Sequence, residues 1–204
     1  MSDTTNRPSE QHRKHLMRQE VPGEARFLTY SCYQRLPLLT KDRTCRWLVE
    51  AIDRARAKHG FDLWAFVIMP EHVHLVILPG AGQRSVADIL YTINKSVSNR
   101  ALTWLQRNAP AFLEELLDPQ PNGQASHRFW QRGGGYDRNL WSNDEVWEKI
   151  DYVHLNPVTR GLCQHPADWK WSSASAYSGV GDSALRIDFE SLPPGGRSRI
   201  RSAW

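Results

Sequence analysis

Apolar residues fall into short runs and periodic stripes between Ala25 and Gly179, and both ends of the chain lack them. Ala25–Gln34 (ARFLTYSCYQ) is rich in Thr, Tyr and Phe and predicts a first strand. Trp47, Leu48, Ala51, Ile52 and Ala55 recur at helical spacing. They predict a helix with Thr40 as N-cap that closes at His59-Gly60. Phe61–Met69 (FDLWAFVIM) is a continuous apolar run, the pattern of a central strand. Pro70-Glu71 interrupts it before His72–Leu78, which predicts a tight antiparallel hairpin. Val86, Ile89, Leu90, Ile93, Val97, Ala101 and Leu105 form the stripe of a long helix, starting at Arg84 or Ser85 and ending near Arg107. Residues 109–126 read as a loop excursion, and His127–Gln131 as a short strand. Gly133-Gly134-Gly135 can turn sharply or let backbone approach a ligand. Asn143 is the expected N-cap of a further helix, with Asp144 and Glu145 in its first turn. Asn156-Pro157 is expected to stop it after Leu155.

Strand, helix, strand, strand, helix, strand, helix is the order of an α+β, ferredoxin-like (split βαβ) fold. It implies an antiparallel sheet with helices on one face and an added C-terminal helix. Val73, Leu75 and Ile77 alternate with His72 and His74, so the histidines are expected on the open face. Three regions follow: a flexible tail over 1–24, a folded domain over 25–165, and an aromatic, Ser-rich extension and loose tail over 166–204. The first tail carries Arg7, Arg13, Lys14 and Arg18, and a short helical piece is expected around His12–Gln19.

Composition adds little to that frame. The net charge of +4 is compatible with a phosphate-rich partner without requiring one. Three cysteines, Cys32, Cys45 and Cys163, have no metal-ligand spacing and suggest a reducing compartment. No apolar leader or membrane-length apolar run is present, so a cytoplasmic protein is expected.

The candidate chemistry sits in two places. His72 and His74 flank one residue of a strand, so their imidazoles share a face and can grip one metal ion. Tyr152 and Asn156 are four apart on a helix and also share a face. Asn156 offers an amide oxygen suited to Mg²⁺ or Mn²⁺. Tyr152 offers a phenol that becomes a nucleophile when deprotonated. Two imidazoles and one amide oxygen leave coordination positions open for a phosphate and water. His154 points about 200° away from Tyr152 and is read as a non-ligand. Tyr136, beside the glycines, is the rival nucleophile. Trp130, Trp169 and Trp171 read as core or interface.

The P-E-H-V-H-L strand, the F-W-Q-R before a turn, the D-Y-V-H-L-N-P-V-T-R-G-L helix end and the W-K-W-S-S-A-S-A-Y-S-G segment resemble the single-tyrosine HUH transposases. They are most similar to the REP-associated tyrosine transposases, over roughly residues 25–179. The resemblance implies that His72, His74 and Asn156 hold Mg²⁺ or Mn²⁺ and that Tyr152 is the nucleophile. In many insertion-sequence relatives a glutamine replaces the residue matching Asn156. The implied activity is cleavage and rejoining of single-stranded DNA near hairpins through a covalent 5′-phosphotyrosine. Lys95, Arg100, Arg132 and Arg138 are then the candidate DNA contacts. The rival is a domesticated hairpin-binding protein without catalysis. A two-histidine phosphoesterase is set aside, because no His here is followed two positions on by Thr or Ser. Either a monomer or a homodimer fits the resemblance, with the tyrosine acting within its own chain or on a partner's site.

Overall fold

Four of the expected elements form because their apolar patterns and end signals agree. The first helix, α1 (Asp42–His59), buries Leu48, Ala51, Ile52 and Ala55. It ends on Gly60, whose left-handed φ of 64° suits glycine. The long helix α2 (Val86–Asn108) starts on Ser85, whose side chain accepts the backbone N–H of Asp88. Strands β2 (Phe61–Ile68) and β3 (His72–Pro79) make the expected hairpin, with the Met69 N–H donated to the His72 carbonyl at 2.8 Å. The computed structural model describes residues 23–80, 85–120, 123–133, 135–179 and 181–195. The predicted N-terminal tail, its helical piece and its basic residues lie outside the described residues.

Strand β1 (Ala25–Ser31) pairs antiparallel with β3 on one side and with β6 (Tyr136–Leu140) on the other. The sheet order is β2-β3-β1-β6, the ferredoxin-like order. Its fourth strand is therefore Tyr136–Leu140, and not His127–Gln131 as expected. The polar Y-D-R-N run serves as a strand because its charges are paired. The carboxylate of Asp137 meets the Arg26 guanidinium at 3.1 and 3.2 Å, both side chains buried. Gly135 makes the approach possible: its φ is +68°, and a Cβ there would lie 2.1 Å from the Thr29 carbonyl oxygen. The expected loop over 109–126 instead holds a short helix, α3 (Pro110–Glu114), and a small hairpin of β4 (Leu117–Pro119) with β5 (Ala125–His127). Trp130 forms only a single bridge, to Cys32.

The two faces of the sheet are covered differently. Tyr30 meets Trp130 edge to face, and the Trp130 indole N–H is donated to the Asn94 carbonyl of α2, so α2 lies on the Tyr30 face. Leu28, Leu75, Ile77 and Phe66 share that face by register and are fully buried. Helix α4 (Asn143–Thr159) lies on the other, histidine face, packed on β2 and β3. Val146, Ile150, Val153 and Pro157 are its buried stripe. The histidine face is thus roofed in part by the added helix. The N-cap of α4 is Ser142, which accepts the Glu145 N–H, and not Asn143. Nor does Pro157 stop the helix: a proline gives up only its own N–H bond, and α4 runs on to Thr159. For α1 the N-cap is Lys41; the Thr40 hydroxyl turns back to the Pro37 carbonyl.

Strand β2 lies at the edge of the sheet, not at its centre. Its apolar run is explained by a seal along that edge. The Ile68 N–H is donated to the Trp171 carbonyl, the Ser173 N–H to Phe66, and the Asp188 N–H to Leu63. The W-K-W-S-S segment is thus structural, with the Trp169 indole donating to the Ile68 carbonyl. Residues expected as a loose tail are partly core: Leu185 and Ile187 are buried and Ser191 accepts from the Trp64 indole. Among the described residues no helix is long and apolar enough to cross a membrane.

Candidate active site

Register and pleat bring the first half of the site together. His74 stands opposite Thr29 and His72 opposite Ser31. The Thr29 hydroxyl lies 2.7 Å from His74 Nδ1, and Glu71 Oε1 lies 3.1 Å from His72 Nδ1. A carboxylate can only accept, so His72 Nδ1 carries the proton and its Nε2 presents a lone pair. The two Nε2 atoms converge to 3.0 Å. Burial holds the His72 imidazole below its usual range against the opposing pull of Glu71. His74 is pushed down to about 3 by burial and, second, by His72. Both rings are neutral near pH 7, the form that ligates metal.

Helix α4 supplies the second half from the same chain. The Tyr152 ring stands 5.3 Å from the His74 ring and 5.8 Å from Phe27, centroid to centroid, and is 47% exposed. One turn on, the Asn156 amide meets His74 Nε2 at 3.3 Å, while its other polar atom, Oδ1, is buried with no partner. Rotating the amide by 180° would exchange oxygen and nitrogen and aim Oδ1 at the histidine pair. His72, His74, Tyr152 and Asn156 all line one cleft of about 540 Å³. Among the described residues no three His, Cys, Asp or Glu gather as a metal cluster. A third protein donor at this place has to be of another kind, and an orphaned amide is one. Ligands at right angles with bonds of about 2.1 Å stand about 3 Å apart, the spacing of the two Nε2 atoms. The residues fit a divalent cation.

No family model matches the chain. A Haemophilus influenzae protein named as a REP-associated tyrosine transposase is 24% identical over 144 residues, covering 67% of this chain and 76% of the relative. An Escherichia coli K12 REP-associated tyrosine transposase is 21% identical over 126 residues, 62% of either chain. A solved REP-associated tyrosine transposase bound to a REP hairpin shares the fold, with a TM-score of 0.60 and 20% identity over 89% of this chain and 96% of that one. In sequence and fold the chain is similar to these REP-associated tyrosine transposases.

In this chain the other residues singled out from sequence scatter. His154 faces away from the cleft, buried against Tyr177 and 2.7 Å from the Ser173 hydroxyl. Tyr136 lies on β6, across β1 from His74. Lys95 and Arg132 line a second cleft beside α2, where Lys95 donates to the Tyr91 hydroxyl and Arg132 to Asp118. Arg100 pairs with Glu50 on the outer side of α1 and α2 and lies over Trp47. Arg138 pairs with Glu145 at the start of α4. The four candidate DNA contacts therefore fall at three separate places.

Sequence reasoning passed over three residues of the site. Glu71 was read only as a hairpin breaker, yet its buried carboxylate backs His72. Burial would raise its pKa, but Arg160 and His72 outweigh that and hold it below the usual range. Arg35 and Arg160 line the cleft. The signal available was proximity in sequence: Glu71 precedes His72, and Arg160 follows Asn156 by one turn.

Proposed function

We propose that this chain is a metal-dependent transposase that cleaves and rejoins single-stranded DNA at hairpin, REP-like sequences. The observation that carries the reading is the meeting of Tyr152, Asn156, His72 and His74 in one cleft of one chain. The similarity to REP-associated tyrosine transposases supports it, and the solved structure bound to a REP hairpin motivates the choice of DNA.

Tyr152, exposed at the cleft mouth, gives up its phenolic proton and attacks the scissile phosphorus in line. A bond forms between the Tyr152 oxygen and phosphorus, the bond to the 3′ oxygen breaks, and a 3′-hydroxyl leaves. The 5′ phosphate stays on Tyr152, so attack by another 3′-hydroxyl reverses the step without ATP. Phe27 and His74 each make a T-shaped contact with the Tyr152 ring and restrict where its oxygen can swing. His72, His74 and Asn156 would hold Mg²⁺ or Mn²⁺, which polarises the scissile phosphate when bound.

The test is incubation with a labelled single-stranded hairpin oligonucleotide and Mn²⁺. A denaturant-stable protein–DNA adduct that is absent from Tyr152→Phe supports the reading. Hairpin binding without adduct in Mg²⁺ or Mn²⁺ would leave a non-catalytic binding protein instead.

A further inference from the structure

One oxygen collects two hydrogen-bond donors and a longer ion pair at the end of the cleft. Glu71 Oε1 lies 3.1 Å from His72 Nδ1, 2.8 Å from a terminal nitrogen of Arg160 and 3.7 Å from one of Arg35. Glu71 is buried behind the histidines, whereas the Arg160 and Arg35 side chains are 47% and 65% exposed. Among the described residues that line the cleft, these two arginines carry the full charges. One carboxylate cannot balance two guanidiniums, so the cleft end keeps a surplus positive charge. Each guanidinium has five N–H donors in a planar fork, and Glu71 occupies only part of them.

The backbone at Arg35 is held in an unusual conformation. Gln34 and Arg35 are consecutive non-glycine residues in the left-handed region, with φ of 50° and 56°. Such strain persists where neighbours enforce it. Here the Gln34 N–H is donated to the Gln131 side chain at 2.9 Å and the Arg35 N–H to the Cys32 carbonyl at 3.0 Å. The result sets Arg35 at the cleft end, facing Arg160 across Glu71.

We propose that Arg35 and Arg160 form an anion clamp for the DNA phosphate that Tyr152 attacks, held ready on the Glu71 carboxylate. The proposal rests on reading the cleft as a phosphodiester site. Arg160 comes from the C-terminal end of the helix that carries Tyr152, and Arg35 follows the strand that carries Thr29. A phosphate gripped by both would be fixed relative to the nucleophile and to the histidine pair at once.

Phosphate-ethylation interference tests this without metal. A single-stranded hairpin oligonucleotide with flanks, ethylated about once per strand, is bound in EDTA by the full chain. The phosphate that Tyr152 joins is mapped separately with Mn²⁺. In the parent protein, ethylation at that phosphate should weaken binding roughly tenfold, the effect of losing a charge-assisted contact. In Arg35→Gln/Arg160→Gln this interference should vanish while interference elsewhere remains. Should the double variant fail to fold, Arg35→Gln alone, at an exposed side chain, should shrink the same signal. Interference at that phosphate that is unchanged in the variants overturns the clamp and leaves the transposase reading standing. A parent protein that binds no hairpin DNA at all overturns both.

Discussion

The Nε2 atoms of His72 and His74 lie 3.0 Å apart. With Glu71 fixing the proton of His72 on Nδ1, and Thr29 at Nδ1 of His74, two lone pairs can face one point. A cation there would relieve their repulsion. Removing either imidazole should abolish Mn²⁺ binding. The check is calorimetric titration of His72→Ala and His74→Ala with Mn²⁺, with circular dichroism to confirm folding. Binding that persists in both would place the metal elsewhere.

Glu71 should act on the metal through His72. Glu71→Gln keeps the shape and removes the charge, and loss of a partner of this kind typically costs about 10–100-fold in metal affinity. The same titration reads it. Parental affinity in Glu71→Gln would mean that the carboxylate serves only Arg160 and Arg35.

Gly135 and Gly133 offer a matched pair. Both have positive φ, but a Cβ at Gly135 meets the Thr29 carbonyl at 2.1 Å, while at Gly133 it meets nothing within 4 Å. Gly133→Ala should lose on the order of 1 kcal/mol from backbone strain alone. Gly135→Ala should lose clearly more, because β6 must move off β1. Because Thr29 also touches His74, that variant should weaken Mn²⁺ binding as well. Urea denaturation of the two variants decides it, and equal losses would refute the close approach.

These features differ in how far the sequence showed them. The His72/His74 pair and the Tyr152/Asn156 pair are local periodicities, one of two residues and one of four, so each was readable once strand and helix were assigned. The bond between Glu71 and Arg160 spans 89 positions and depends on where the end of α4 lands, which no local pattern encodes. Strand β6 hid because its strand-forming partners are charges: Asp137 reads as a turn residue until Arg26 is seen beside it. Strand β2 read as central because it is apolar throughout. Its outer edge is closed by a polar, Ser-rich segment more than a hundred residues away, which looks like loop. At Pro157 a local rule lost to packing, since the proline belongs to the buried stripe of α4.

His154 should make stability depend on pH. It is fully buried, and burial pushes its pKa down to about 3, against about 6.5 in an unfolded chain. The folded pKa is the lower one, so the unfolded state binds the extra proton between these values. The contribution is complete above pH 6.5 and is lost as pH falls toward 3, by about 1.4 kcal/mol per pH unit. His72 and His74 are shifted the same way, so the comparison must be with a variant. His154→Gln removes the titrating group and keeps a donor toward Ser173. Denaturation midpoints at pH 7.5 and 5 should differ less in it than in the parent, and an equal difference would remove His154 from the account.

The 5.3 Å between the Tyr152 and His74 rings is measured within one chain, and this bears on how copies cooperate. If nucleophile and histidines act in cis, a copy that lacks either is dead and cannot be helped. If the tyrosine helix works on a partner's site, two defective copies can complement each other. Mixing Tyr152→Phe with His74→Ala should therefore yield no DNA adduct at any ratio. In a trans arrangement a 1:1 mixture would recover about a quarter of the sites, since a working site needs an intact tyrosine from one chain and intact histidines from the other. Adduct in the mixture, measured on the labelled hairpin with Mn²⁺, would overturn the cis site. It would do so without touching the fold, because α4 would then reach across to a second copy instead of lying over its own β3.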